Sequence, residues 1–439
     1  MDCITGINRK TMLNIFPLLF GVSAWLGIYA TFLQMPIIVK KAPEGWSLPS
    51  FVVVLIQIGN IGPLLYTMLQ KYRPIKDSYL IYFMLSVGLS GALLFSQFYD
   101  VTVNIFDDER SLPLLGSVLM FSLMACTSSV LFMPYMGRFQ EGYLVSYFTG
   151  VSFGGLISSS ITLLQGIGKE EKIICHNHTM EINVTDISPE PQEEPNISVA
   201  TFFLIISCIF LISSISFFLI DTLKIFKNEY ANVVIRYGND YTFNQEEVSI
   251  NAGTGTENNE KKTEKLKKLS SINYQNLMLL TGLISATFNA IIPGVLSYAT
   301  LPFGTHTYHY TITFVYIGEP LAYIFGNFIP HSSIRLVWSL ATFAIIPCTY
   351  IMINAVMSPF PPLLGTLIGS ILTISSWVIA KICYAFINLS LMSIFRAQGG
   401  KSLVRLGGYT QIGSFLGSVF IFSLVNFTSI FKQYDPCSS

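Results

Sequence analysis

Two charged side chains stand in stretches of this chain that otherwise hold none. They are Glu319 in ITFVYIGEPLAYIF and Lys381 in SSWVIAKICYAF. A carboxylate or ammonium facing lipid costs about 2.5 kcal/mol or more, so each must pair, reach a cavity or be neutral. Two readings stand: an ion pair joining two helices, or a role in handling a substrate or proton. A second polar group lies in WSLPSFVVVLIQIGNIGPLL, where Gln57 and Asn60 sit beside Gly59, Gly62 and Pro63. Hydrocarbon offers side-chain amides no partners, so these too need a reason. Gln34, Thr127, Ser128, Ser129, Asn289 and Asn327 are further polar groups in apolar runs, and Trp25, Tyr29, Tyr135, Tyr316, Trp377 and Tyr384 are aromatics beside them. Such rings stack on a planar heteroaromatic solute while amides and hydroxyls bind its polar edge. The same amides and hydroxyls also serve as hydrogen bonds between helices.

Covalent chemistry has little support. Gly150-Val-Ser-Phe-Gly154 matches G-x-S-x-G, but the nucleophile elbow needs a strand, a sharp turn and a helix, whereas this motif lies in a long uncharged run. A helix-packing face is the expected role. His306-x-x-His309 and Cys175-His-Asn-His178 lack companions at zinc spacing. No glycine loop cradles a phosphate, and the seven cysteines form no C-x-x-C. The expectation is no catalytic residue, no metal and no cofactor.

The elements that must position these residues are membrane spans. Half the 439 residues are hydrophobic and 11% are charged, against about 25% in soluble domains. Net charge is zero, which gives no sign of a nucleic-acid partner. About 20 residues cross a bilayer, and eleven segments qualify: 12–38, 51–69, 79–99, 112–136, 143–167, 200–220, 274–298, 308–329, 334–356, 363–388 and 408–431. The fold class expected is an all-α polytopic membrane protein with six spans (1–220), a linker (221–273) and five spans (274–439). With the N-terminus inside, inner segments hold 18 Lys and Arg and outer ones six, which favours N-in and C-out. Three N-x-S/T sequons, at Asn177, Asn183 and Asn196, fall in the long outer loop 169–199 and agree with that sidedness as glycosylation sites. The linker is polar without apolar periodicity, so it is expected to be largely disordered. Gly150-x-x-x-Gly154, Gly365-x-x-x-Gly369 and Gly413-x-x-x-Gly417 offer flat faces for close helix approach.

The stretch PEGWSLPSFVVVLIQIGNIGPLL (43–65) resembles the solute-carrier riboflavin transporters. So do Cys126-Thr-Ser-Ser-Val130 with Phe132-Met-Pro134, Ala355-Val-Met-Ser-Pro359, and Gln411-Ile-Gly-Ser414 with Leu424-Val-Asn426. The resemblance implies a multi-pass plasma-membrane carrier that takes up riboflavin by alternating access between two bundles. Its partners would be the solute and the lipid bilayer. Trp25, Tyr29, Gln34, Gln57, Asn60, Thr127, Ser128, Asn289, Tyr316, Glu319, Trp377 and Tyr384 are the expected binding residues. The chain departs from the family at Tyr29, Gln34 and Ala125, where relatives carry Asn, Glu and Asp. It departs again at Glu319 and Lys381, where relatives are uncharged. Two alternatives remain open: a carrier of another planar solute such as a nucleoside, and a non-transporting surface receptor.

Overall fold

Backbone N–H and C=O groups in hydrocarbon have only each other as partners, so long uncharged runs fold as helices. The computed structural model of the chain describes residues 2–38, 41–44, 48–105, 108–165, 196–231, 233–237, 239–243, 269–326 and 333–432. Its first half comprises α1 (Asp2–Ile38), α2 (Leu48–Gly59), α3 (Ile61–Tyr72), α4 (Asp77–Phe98), α5 (Leu112–Met136), α6 (Glu141–Leu164) and α7 (Val199–Thr222). A short α8 (Lys224–Lys227) follows. The second half comprises α9 (Ser271–Ala286), a π-turn at Thr287–Ile291, α10 (Ile292–Gly294), α11 (Leu296–Thr300), α12 (Thr305–Gly326), α13 (Ile334–Val356), α14 (Leu367–Arg396) and α15 (Gly400–Phe427). Two antiparallel hairpins complete the described residues: β1 (Val103–Ile105) with β2 (Asp108–Arg110), and β3 (Val233–Tyr237) with β4 (Asp240–Phe243).

Ten helical segments among the described residues are long and apolar enough to cross a membrane. The expected span 308–329 falls on α12, a 22-residue helix whose Thr, His and Tyr content leaves it outside that set. Proline explains two departures from simple spans. Pro63 has no N–H for the Gly59 carbonyl, and the expected span 51–69 breaks at Asn60 into α2 and α3. Pro293 likewise deprives the Asn289 carbonyl, and span 274–298 passes through the π-turn. The expected inner segment 389–407 is mostly helix: α14 runs on to Arg396 and α15 begins at Gly400. Gly399 turns the chain between them at φ +98°, a conformation that disfavours any side chain.

Helices pack within each half, and α6 with α12 and α5 with α15 cross between halves. In G-x-S-x-G the glycines bring α6 against α1. A Cβ on Gly150 would lie 1.9 Å from the Leu18 carbonyl oxygen, so the motif is a packing face. Glu44 of the PEGW stretch accepts bonds from the Ser111 N–H and hydroxyl, both at 2.8 Å, and holds that loop on the start of α5. Apolar side chains such as Leu367 and Ile368 point outward, as a hydrocarbon solvent permits.

Within the segment expected to be a linker, the described residues up to Phe243 fold. The β3–β4 hairpin closes over one end of the molecule, here termed the linker end. Tyr241 is 1% exposed and donates to the Pro134 carbonyl of α5 at 3.1 Å. It also abuts Gly400 at the start of α15. Burial raises its hydroxyl pKa above the ordinary range, which keeps it a donor. Asn239 donates to the Tyr66 hydroxyl at 2.8 Å and accepts from Arg138 at 2.8 Å, while Arg138 pairs with buried Asp77. Arg396 of α14 donates to the Gly137 carbonyl at 3.1 Å and to the Phe139 carbonyl, and Ser393 donates to Glu141. Asp240 pairs with Lys401 at 2.8 Å. The hairpin therefore touches both halves. Residues 244–268 and the cysteines at 175 and 437 lie outside the described residues.

Candidate functional site

Glu319 and Lys381 meet between α12 and α14. The Lys381 Nζ lies 3.5 Å from Glu319 Oε1, with side chains 23% and 9% exposed respectively. Helical periodicity assembles the groups around them. Tyr316, Glu319 and Tyr323 follow one face of α12, and Trp377, Lys381, Tyr384 and Asn388 follow one face of α14. The ammonium sits 4.8 Å from the centre of the Tyr384 ring, a cation–π geometry. Asn388 donates to the Tyr323 hydroxyl at 3.1 Å. Phe288 stacks on Tyr384 at 5.1 Å, and Asn289 in the π-turn hydrogen-bonds both Tyr384 and Ser414.

The first half supplies the other wall. Tyr29 meets Tyr316 edge-on at 5.7 Å between centroids, and Trp25 lies 6.5 Å from Tyr29. Phe148 stacks on Tyr323 at 6.0 Å, and Gly155 leaves room for the Tyr316 ring. Tyr29, Tyr316, Tyr323 and Tyr384 all lie near Glu319. The result is an aromatic enclosure at the junction of the halves with one acid, one base, two amides and four phenols. Aromatic faces beside an acid, a base and amides have the chemistry that suits a planar, polar-edged solute.

Other expected residues lie elsewhere. Gln57 donates to Ser418 of α15 at 2.6 Å and accepts from Asn60 at 3.1 Å, while the Asn60 carbonyl oxygen is buried without a hydrogen-bond partner. This amide pair borders a cleft of about 320 Å³ lined by Val53, Val54, Ile58, Phe415 and neighbouring apolar residues. The cleft is almost wholly apolar, and the concentrated polar chemistry belongs to the tyrosine enclosure. Thr127 and Ser128 donate to the carbonyls of Leu123 and Ala125 in their own helix. Gln34 is fully buried and engaged by Gln165 at 2.7 Å. Tyr135 donates to Asp221 at 2.9 Å, toward the linker end. Asn327, Asn177 and Asn183 lie outside the described residues, and Asn196 is exposed. Tyr323, Asn388 and Phe288 were missed by the sequence reading. The i, i+7 and i, i+4, i+7, i+11 spacing around Glu319 and Lys381 was the available signal for the first two.

Residues 9–433 match the family described as "Solute carrier family 52, riboflavin transporter". The chain belongs to this family. It is 30% identical to riboflavin transporter member 3 of Bos taurus, over 95% of this chain and 97% of the other. It is 28% identical to member 3 of Homo sapiens, over 97% and 98%. It is 30% identical to "Riboflavin transporter rft-1" of Caenorhabditis elegans, over 98% and 100%. Among solved structures it is similar to the E. coli fucose:proton symporter, with TM-score 0.52 and 13% identity over 95% of this chain and 91% of that one. It is similar also to a bacterial homologue of the iron transporter ferroportin in an outward-facing state, with TM-score 0.55 and 11% identity over 94% and 92%. The fold is that of membrane transporters, and the family is one of carriers rather than enzymes.

Proposed function

We propose that this chain mediates cellular uptake of riboflavin across the plasma membrane by alternating access. The observation that carries the reading is the tyrosine enclosure around Glu319 and Lys381, built by helices from both halves. A tricyclic isoalloxazine ring suits the aromatic walls, its pyrimidine-like edge suits the polar groups, and the ribityl chain suits hydroxyls and amides. Trp25, Tyr29, Asn289, Tyr316, Glu319, Trp377 and Tyr384 form the proposed site, with Gln57 and Asn60 on the approach. Labelled riboflavin uptake into vesicles or oocytes should saturate and be competed by lumiflavin. Uptake at background levels despite surface expression would exclude the reading. Chemistry at the site also supports a second cargo, another planar solute such as a nucleoside, because an acid beside a base can engage any ring edge that sets an N–H beside a carbonyl. Thermal shift across flavins and nucleosides separates the two.

The proposed topology counts α12 as a span, giving eleven spans in bundles of six and five, with the N-terminus inside. The linker end is then cytoplasmic, and its network of contacts closes that side. Asn196 then lies outside, available with Asn177 and Asn183 for glycosylation. A glycosidase should sharpen and speed the migration of the mature protein, and replacing the three asparagines by glutamine should abolish that shift. Unchanged migration in both arms would argue against the orientation.

A further inference from the structure

We infer that Glu319 and Lys381 together read the imide edge of the transported ring, the carboxylate accepting the ring N–H and the ammonium donating to a flanking carbonyl. The inference rests on the flavin reading of the site and names the two side chains that select the ring.

Two buried ion pairs among the described residues differ in kind. At the linker end, Asp77 takes hydrogen bonds from Tyr66 at 3.0 Å and Gln70 at 2.9 Å besides its contact with Arg138. Arg138 in turn bonds Asn239. That pair is tied to three further side chains that hold helices together, and the Arg138 Nε–H is the part of it buried without a partner. Glu319 and Lys381 are separated by 3.5 Å, longer than a good charge-assisted hydrogen bond. Their contacts with other described residues are electrostatic or with the Tyr384 ring face, and neither donates or accepts a further hydrogen bond. A carboxylate has about four acceptor positions and an ammonium three donors, so most of the capacity of both groups is unused. One turn away on α14, the Trp377 indole N–H is also buried without a partner. Unmet polar capacity in a low-dielectric site is costly, and a ligand of matching pattern relieves it.

The pattern is specific. An adjacent acceptor and donor complement a ring edge in which an N–H is flanked by carbonyls, which is the edge of the isoalloxazine pyrimidine ring. Tyr29, Tyr316, Tyr323 and Tyr384 surround the pair and can hold the ring plane at that edge. A site built to hydrogen-bond a substrate N–H rejects an analogue that lacks it, because the site's own groups are left unpaired.

The test is competition of labelled riboflavin uptake by lumiflavin and by its N3-methyl derivative, which keeps the ring and loses the imide N–H. In the natural protein the N3-methyl compound should need at least tenfold higher concentration for half-inhibition. In the double variant Glu319→Met/Lys381→Met, the two compounds should compete within twofold of each other in thermal-shift binding. Equal competition in the natural protein overturns the inference and leaves riboflavin uptake standing, as does discrimination that survives in the double variant. Absence of riboflavin uptake overturns the flavin reading and this inference with it. Equal competition in the natural protein overturns the inference even where the double variant is poorly produced.

Discussion

Lys381→Met alone is expected to destabilise the purified carrier and to lower its surface level, and Glu319→Met should do the same. Each change strands one charge among aromatic side chains. Removing one partner of a buried pair costs about 3–5 kcal/mol, and the lower end applies here because the Lys381 side chain is 23% exposed. The neutral double variant Glu319→Met/Lys381→Met has no stranded charge, so its melting temperature should recover most of the loss. Replacing a buried pair by apolar groups of similar volume is often neutral or stabilising. Riboflavin uptake should behave differently and stay at least tenfold below the natural protein in all three variants. Stability returning together with full uptake would mean that the pair only braces α12 against α14. The discriminating measurement is thus melting temperature and uptake side by side, each normalised to surface protein.

Tyr241→Ala is the second large effect expected, and it acts far from the enclosure. Alternating access requires the linker end to open, and Tyr241 is the buried side chain that the hairpin lays between Pro134 of α5 and Gly400 of α15. Losing a buried aromatic side chain and its hydrogen bond should weaken the closed linker end by at least about 2 kcal/mol. Each 1.4 kcal/mol is tenfold in a population, so the closed form should fall about 30-fold relative to the open one. The apparent affinity for solute offered from the opposite side falls with the fraction of closed protein. Spin labels at Gly142 and Arg405 report the change, since Gly142 has open space around it and Arg405 is exposed. Longer distances should gain population in Tyr241→Ala, and half-saturation for uptake should rise. An unchanged distance distribution would remove the hairpin from the gate. The Asp240–Lys401 pair is a useful control: with Lys401 two-thirds exposed, its loss should move neither quantity much.

Much of this architecture can be read from local pattern. Uncharged runs of about 20 residues mark spans because hydrocarbon tolerates little else, and the helices follow those runs closely in the first half. Pro63 and Pro293 announce their breaks, since a missing N–H leaves a known carbonyl without a partner. The register of Tyr316, Glu319 and Tyr323, and of Trp377, Lys381, Tyr384 and Asn388, was also present in the sequence as helical spacing. Reading it would have added Tyr323 and Asn388 to the candidate site. The linker hairpin gave no comparable signal. Its strands are short, and Tyr241 is apolar-facing only because distant glycines and a proline carbonyl receive it.

What the sequence determined by itself was the membrane class, the placing of the apolar runs, the bias of basic residues and the face on which each polar residue lies. These are properties of one segment and its solvent. Tertiary structure alone decided which polar groups meet. Glu319 and Lys381 lie on separate helices, and only the packing of α12 on α14 makes them a pair rather than two stranded charges. Gln34 and Gln57 look alike in sequence, yet Gln34 is engaged by Gln165 just past the end of α6 while Gln57 reaches across to Ser418 of α15. Tyr135 likewise turns to Asp221 and leaves the enclosure to Tyr29 and the tyrosines of α12 and α14. Periodicity gives a side chain its direction; close approach of another helix, set by glycines such as Gly150 and Gly155, gives it a partner.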